Sequence, residues 1–197
     1  MNVFLPVFFV ILVVFPQGGQ AASPSHEATS PPARRLEATF AESGFGYTLQ
    51  YPAGWRITRP GRFAVVFGGA PETAAFYTTV SLDNRLSPHP GEPRRGASAI
   101  LSLYLKELGA KARGVRVETQ VPFLYRQDDV ALDGYQAVTE FDGQTERMRQ
   151  WTVVIPRRSG TVVHVWMFTA PFNEFERALP TARAILDSWR IRGTDAE

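Results

Sequence analysis

Gly46-Tyr47-Thr48-Leu49-Gln50-Tyr51-Pro52-Ala53-Gly54-Trp55 is the stretch on which the fold turns. Tyr47, Leu49 and Tyr51 alternate with Thr48 and Gln50, the period of a strand with one buried face. Tyr51-Pro52-Ala53-Gly54 then suits a type I turn, with Pro at the second position and Gly at the fourth. Trp55 leaves that turn and is expected to fold back onto the core. Upstream, Leu36, Ala38 and Phe40 alternate with Glu37 and Thr39 in an earlier strand, closed by Ser43-Gly44-Phe45-Gly46.

Downstream, residues 63–67 and 75–82 read as strands joined by Gly68-Gly69-Ala70-Pro71, and residues 84–95 as an exposed, proline-containing loop. Ala97, Ile100, Leu101, Tyr104, Leu105 and Leu108 share one helix face, which Gly109 is expected to end. Residues 115–121 alternate as a strand. Residues 135–141 and 144–155 flank Asp142-Gly143, a strong two-residue hairpin signal. After a turn at 156–160 comes the apolar strand 161–170. Phe175, Leu179, Ala182, Ile185, Leu186 and Trp189 form the stripe of a final helix, with Asn173 as its cap. Pro180 is expected to kink that helix or to start its main body. Runs of antiparallel strands with two helices make an α+β fold: a central antiparallel β-sheet of about six or seven strands flanked by helices.

The N-terminus reads as a secretory signal. Residues 3–15 are apolar apart from Pro6, shorter than the roughly 20 residues a membrane-spanning helix needs. Gly19 and Ala21 supply the small residues of a cleavage site after Ala21, although no Lys or Arg precedes the apolar run. An uncleaved inner-membrane anchor is the alternative. With no Cys, the mature chain has no lipid-modified cysteine and no disulfide. Residues 22–35 lack apolar periodicity and read as a flexible linker. The domain is assigned to 36–192, and 193–197 to a disordered tail.

Composition adds bounds. The chain has 197 residues, 44% hydrophobic and 20% charged, enough for one domain with a real core. A net charge of +2 gives no reason to invoke nucleic acid. Nineteen of the 21 basic residues are Arg, a trace of a GC-rich bacterial genome, so the expected compartment is the periplasm of a Gram-negative bacterium.

Element order, the Tyr51-Pro52-Ala53-Gly54-Trp55 corner and the helix end Ile185-Leu186-Asp187-Ser188-Trp189 together resemble the Mog1/PsbP-like superfamily across residues 36–192. That group includes lumenal PsbP proteins of photosystem II, bacterial PsbP-related exported proteins and a Ran-binding nuclear import factor. The resemblance implies an antiparallel sheet covered by helices and a non-catalytic protein that acts by binding another protein. The aromatic corner is architectural in the group and carries no functional site over to this chain.

The residues themselves assign no catalytic, cofactor or metal site. Of three His, His26 lies in the linker, His89 in a proline-flanked loop and His164 in an apolar strand, where a packed or hydrogen-bonded role is expected. Asp128, Asp129 and Asp133 lack the spacing of a calcium loop and read as a solvated acidic turn. Gly68-Gly69-Ala70 lacks the Lys and Ser/Thr of a phosphate loop, and no Gly-x-Ser-x-Gly motif occurs. The alternatives to a binding factor are a periplasmic hydrolase whose acidic residues meet only in the fold, and a carrier of a small apolar ligand.

The candidate partner site is the Asp142-Gly143 hairpin. A two-residue turn would pair Glu140 with Thr145, Val138 with Arg147 and Gln136 with Arg149, and set Trp151 opposite Gly134. Gln136, Glu140, Arg147 and Arg149 would then share one face. Paired guanidiniums suit an acidic protein or anionic headgroups, with a solvated, internally paired face as the alternative. No divalent metal is expected to be needed for folding. For the N-terminus, Edman sequencing of the exported protein is expected to begin at Ala22; an intact Met1 would establish the anchor instead.

Overall fold

The computed structural model describes residues 34–192 apart from positions 74 and 129. In chain order it runs β1 (Ala38–Phe40), β2 (Tyr47–Tyr51), β3 (Arg56–Gly61), β4 (Ala64–Gly68), β5 (Thr79–Leu86), α1 (Pro93–Lys111), β6 (Arg113–Gln127), β7 (Val130–Asp142), β8 (Arg147–Pro156), β9 (Val162–Pro171), α2 (Phe172–Ser188) and β10 (Arg190–Ile191). A seven-stranded antiparallel sheet has the order β3-β4-β5-β9-β8-β7-β6, and a small sheet the order β1-β2-β10. This is the α+β layout expected, with the early strands β1 and β2 split off from the main sheet. The signal and linker assignments up to position 33, and the tail 193–197, lie outside the described residues.

β9 explains how the layers are held. Its side chains alternate between two buried faces, which is why it reads as a nearly unbroken apolar run rather than as polar–apolar alternation. Val163 and Val165 meet Ala97, Ile100 and Leu101 of α1, together with Ala137 and Val154. Trp166 and Phe168 join the larger core with Phe175, Ala182 and Ile185 of α2, Tyr47 and Leu49 of β2, and Val65, Phe67, Val80 and Leu82 of β4 and β5. α1 lies over β7, β8 and β9, while α2 lies over β2, β8 and β9.

His164, on β9, is fully buried with Tyr47 and Trp189 edge-on at 5.5 and 5.9 Å. Its Nδ1 lies 2.6 Å from Asn84 Oδ1, and Arg157 donates Nε–H to Nε2 at 3.2 Å. An uncharged ring that donates from Nδ1 and accepts at Nε2 satisfies both contacts. Asn84 Nδ2 and Arg157 Nη2 each donate to the Phe45 carbonyl, at 2.8 and 2.9 Å. The backbone of Gly46 makes this possible: its φ is +75°, and a Cβ there would fall 2.1 Å from the Arg157 guanidinium. Burial, and then the Arg157 charge, push His164 down to about 3. Burial also raises the Tyr47 phenol, whose hydroxyl has no hydrogen-bond partner.

The C-terminal residues close the core. Trp189 is fully buried against Tyr47 and Tyr125. The Tyr125 hydroxyl donates to the Trp189 carbonyl at 2.8 Å and accepts from the Ile191 N–H at 3.3 Å. Truncating such a tryptophan to alanine costs about 3–5 kcal/mol.

Several local expectations are corrected. The turn after β2 falls one residue later than read, with Trp55 N–H bonding the Pro52 carbonyl at 3.0 Å. Trp55 does fold onto the core, but the chain then forms an unforeseen edge strand, β3, whose Arg-rich sequence carries one strongly apolar residue, Ile57. β5 starts at Thr79, after a turn in which Gly69 and Thr78 N–H groups both bond the Ala75 carbonyl, and reaches into the expected loop. α1 starts at Pro93, a favoured first-turn residue, and runs past Gly109 to Lys111. α2 begins after Pro171 without a side-chain cap from Asn173 and continues through Pro180 as one helix. β6 and β7 extend to a tight turn at Asp128, whose φ is +50°.

Because the unfolded chain binds a proton to His164 below pH 6.5 and the folded chain does so only near pH 3, stability is full above the unfolded value and falls as pH drops through that window. Urea unfolding is expected to show about 2 kcal/mol less stability at pH 5 than at pH 7 from this residue. H164N, which cannot take the charge, is expected to flatten that slope while lowering stability at pH 7.

Candidate functional site

The β7–β8 hairpin is present, but it is not a two-residue turn. Asp142 pairs with Arg147, and Gly143 N–H bonds the Glu146 carbonyl at 2.8 Å. A type I′ turn needs positive φ at both central residues, and neither Asp142 nor Gly143 has it. Gly143 is instead required by close approach, since a Cβ would lie 2.7 Å from the Glu146 carbonyl oxygen. The register therefore moves: Glu140 faces Arg149 rather than Thr145, Val138 faces Trp151 rather than Arg147, and Gln136 faces Val153 rather than Arg149. Trp151 accordingly does not face Gly134. Because the displacement is even, Gln136, Glu140, Arg147 and Arg149 still share one face.

On that face each guanidinium is held by two carboxylates. Arg147 donates to Glu140 Oε2 from Nη2 at 2.9 Å and from Nε at 3.2 Å, and its Nη1 reaches Asp142 at 3.3 Å. Arg149 pairs with Glu118 at 2.8 Å and Glu176 at 3.1 Å, and its guanidinium lies 5.1 Å from the Phe175 ring centre. Gln136 accepts from the Trp151 indole at 2.9 Å. Bonding to Arg147 holds the Glu140 carboxyl below the ordinary carboxylate range. A general acid needs the opposite shift, so Glu140 is not held in the state of one.

The layers leave two open quadrants. α2 stops short of β6 and β7, leaving a groove of about 300 Å³ lined by Gln136, Val138, Arg149, Trp151, Leu179 and Arg183. On the other face α1 leaves β3, β4 and β5 uncovered, where Val66, Gly68, Pro71, Phe76, Tyr77 and Met148 line a more apolar groove of about 460 Å³. That groove was not legible in sequence: its floor and walls come from five separate segments, in or beside β3, β4, β5, β8 and β9. No group of three or more His, Cys, Asp or Glu that could hold a metal occurs among the described residues. His164 sits beside an amide and a guanidinium, without an acid; Asp128 and Asp133 are exposed, and position 129 and His26 lie outside the described residues.

At the level of sequence, no protein-family model matches the chain and no curated protein matches it. Solved structures do. Cyanobacterial PsbP (CyanoP) from Synechocystis sp. PCC 6803 superposes with a TM-score of 0.59 at 12% identity, covering 86% of this chain and 98% of that one. The Saccharomyces cerevisiae Ran-binding protein Mog1p superposes with a TM-score of 0.54 at 9% identity, covering 80% of this chain and 96% of that one. The chain has the Mog1/PsbP-like fold.

Within this fold the two stretches that carry the sequence resemblance are structural. Trp55 and Trp189 are 7% and 0% exposed, and Tyr51 packs on Phe67 at 4.8 Å. Exposed apolar surface lies elsewhere, on the open quadrants and on β6, whose exposed Val117, Val121 and Leu124 the strand pattern understated.

Glu140 is 6% exposed and depends on Arg147 for its charge partner, so the pair is asymmetric. R147Q is expected to lower the urea midpoint by stranding a buried carboxylate, and E140Q in the R147Q background is expected to restore part of it. Equal midpoints for wild type and R147Q would show that the pair contributes nothing.

Proposed function

We propose that this protein is an exported, non-catalytic binding or assembly factor of PsbP-like type, acting through protein–protein contacts at or near the membrane. The observation that carries the reading is the shared fold: one structure that superposes on it belongs to a Ran-binding protein and another to a PsbP. A Mog1/PsbP-like sheet with two uncovered quadrants has surface available for a partner. Among the described residues no helix is long and apolar enough to cross a membrane. Export rests on the apolar N-terminal run and its small-residue cleavage signal, and the periplasm on the further inference of a Gram-negative source.

The Gln136, Glu140, Arg147 and Arg149 face remains a proposed contact surface. Since its guanidiniums are already paired, a partner there would have to match a mixed pattern of charge rather than supply acid alone.

Affinity capture with the purified protein from periplasmic extract and detergent-solubilised membranes is expected to retain one protein in near-stoichiometric amount. R147Q/R149Q is expected to weaken that capture. Turnover of ester, amide or phosphoester substrates by the purified chain, with no protein retained, would replace this reading by the enzymatic one.

A further inference from the structure

We propose that the free edge of β6, over residues 119–127, docks an extended acidic segment of a partner protein, which joins the main sheet as an eighth strand. The inference rests on the protein-binding reading above and names the surface and the chemistry of the partner.

β6 ends the strand order of the seven-stranded sheet, and among the described residues no backbone–backbone bond reaches it from any element other than β7; the Ile191 N–H of β10 bonds the Tyr125 and Gln127 side chains, not the β6 backbone. Its irregularities are confined to the first half, between Arg113 and Arg116 and between Val117 and Thr119. From 119 to 127 it keeps unbroken register with 138 to 130 of β7, so its outward N–H and C=O groups form a regular row with one donor missing at Pro122. The opposite edge is different. β3 has six residues, loses register after Thr58, contains Pro60 and has Arg59 paired with Glu42. Those are the devices by which proteins close an edge to strangers.

The side chains of β6 give the partner's character. Val117, Val121 and Leu124 are 46%, 39% and 46% exposed, an unusual loading for an edge strand facing water. Val121 lies opposite Gln136, on the α2 face of the sheet, and Leu124 opposite Asp133, on the α1 face, so an added strand would find an apolar contact on each side. Arg113, Arg116 and Arg126 are exposed and have no carboxylate partner among the described residues. The strand's one acid, Glu118, is already held by Arg149 at 2.8 Å. Against these three arginines stands the exposed Asp128 at the end of the strand, itself without a cationic partner among the described residues, so the uncompensated charge along β6 is positive. A second copy of this chain would bring two such edges together with like charges, whereas a strand alternating acidic and apolar residues complements the edge in hydrogen bonding, apolar contact and charge.

The test uses the full chain and a fluorescein-labelled peptide of alternating valine and glutamate, about nine residues long to match the regular edge. Its counterpart has lysine in place of glutamate. Anisotropy titration is expected to give binding of the glutamate peptide at least about tenfold tighter than of the lysine peptide. R116Q/R126Q is expected to lose most of that difference with its melting temperature unchanged. Peptide binding is also expected to slow amide exchange at residues 119–127. Equal affinity for the two peptides, unchanged affinity in R116Q/R126Q, or no added protection of those amides would overturn the proposal. So would concentration-dependent dimerisation abolished by L124D, which would assign the edge to a second copy. If affinity capture retains its protein in R116Q/R126Q/L124D, the edge assignment fails while the binding reading stands. If wild type captures nothing, that reading fails and the peptide titration still decides the edge.

Discussion

A neutral imidazole buried on both flanks by aromatic rings sets the terms for everything around it. β9 is sandwiched between two layers, so a polar side chain there must find partners inside the protein. His164 finds them in Asn84 on β5 and Arg157 at the end of the β8–β9 hairpin, and both of these then converge on the Phe45 carbonyl ahead of β2. The small sheet is thereby pinned over the large one, with Tyr47 and Trp189 packed around the bridge. Arg157 has no acid beside it among the described residues, and its guanidinium is satisfied by a ring nitrogen and a carbonyl, so the bridge holds only while His164 stays uncharged.

The covering of the sheet follows from the same geometry. α2 is drawn over β9 by Phe175, Ala182 and Ile185, and the small sheet shields β4 and β5 on that side, leaving β7 open around Gln136 and Val138 while Tyr125 of β6 and Leu132 of β7 stay in the core. α1, packed by only three buried apolar residues, covers the diagonally opposite half. Polar side chains stiffen that layer: Tyr104, pushed up to about 12 by burial, donates to Gln150, whose amide donates on to Thr169 at 2.7 Å. The two helices thus leave opposite quadrants of the sheet open, one beside α2 and one beside β3, β4 and β5.

The sequence told most where one physical signal dominated. Alternation at Tyr47, Leu49 and Tyr51, helical spacing from Ala97 to Leu108 and the stripe from Phe175 to Leu186 each reflect a single buried face and fall inside the elements read, whereas Trp189, read as the end of that stripe, stands just past α2 in extended backbone. β3 escaped because an edge strand left largely in water needs few apolar residues, and Ile57, itself only partly buried, is the one that packs against the core. The outer halves of β6 and β7 escaped for a related reason: they extend beyond both helices, so Arg126 and Asp133 face water and mimic a loop. At Asp142-Gly143 the dipeptide marked a hairpin correctly but not its register; Gly143 is needed there because a Cβ would meet the Glu146 carbonyl and Met148, contacts that no local rule contains. Even displacement preserved which residues share a face and changed every partner. That is why the site residues were found together and their charges were already spoken for.

Closure by Trp189 and Ile191 has a temporal side. Tyr125 cannot bond the Ile191 N–H, nor Trp189 fill the space beside Tyr47 and His164, until residue 191 has been made. Synthesis runs from the N-terminus, so the aromatic slot stands open until those residues are made. Contacts of such long sequence separation also form slowly. Completion of the core therefore waits on residues far along the chain from the strands they cover.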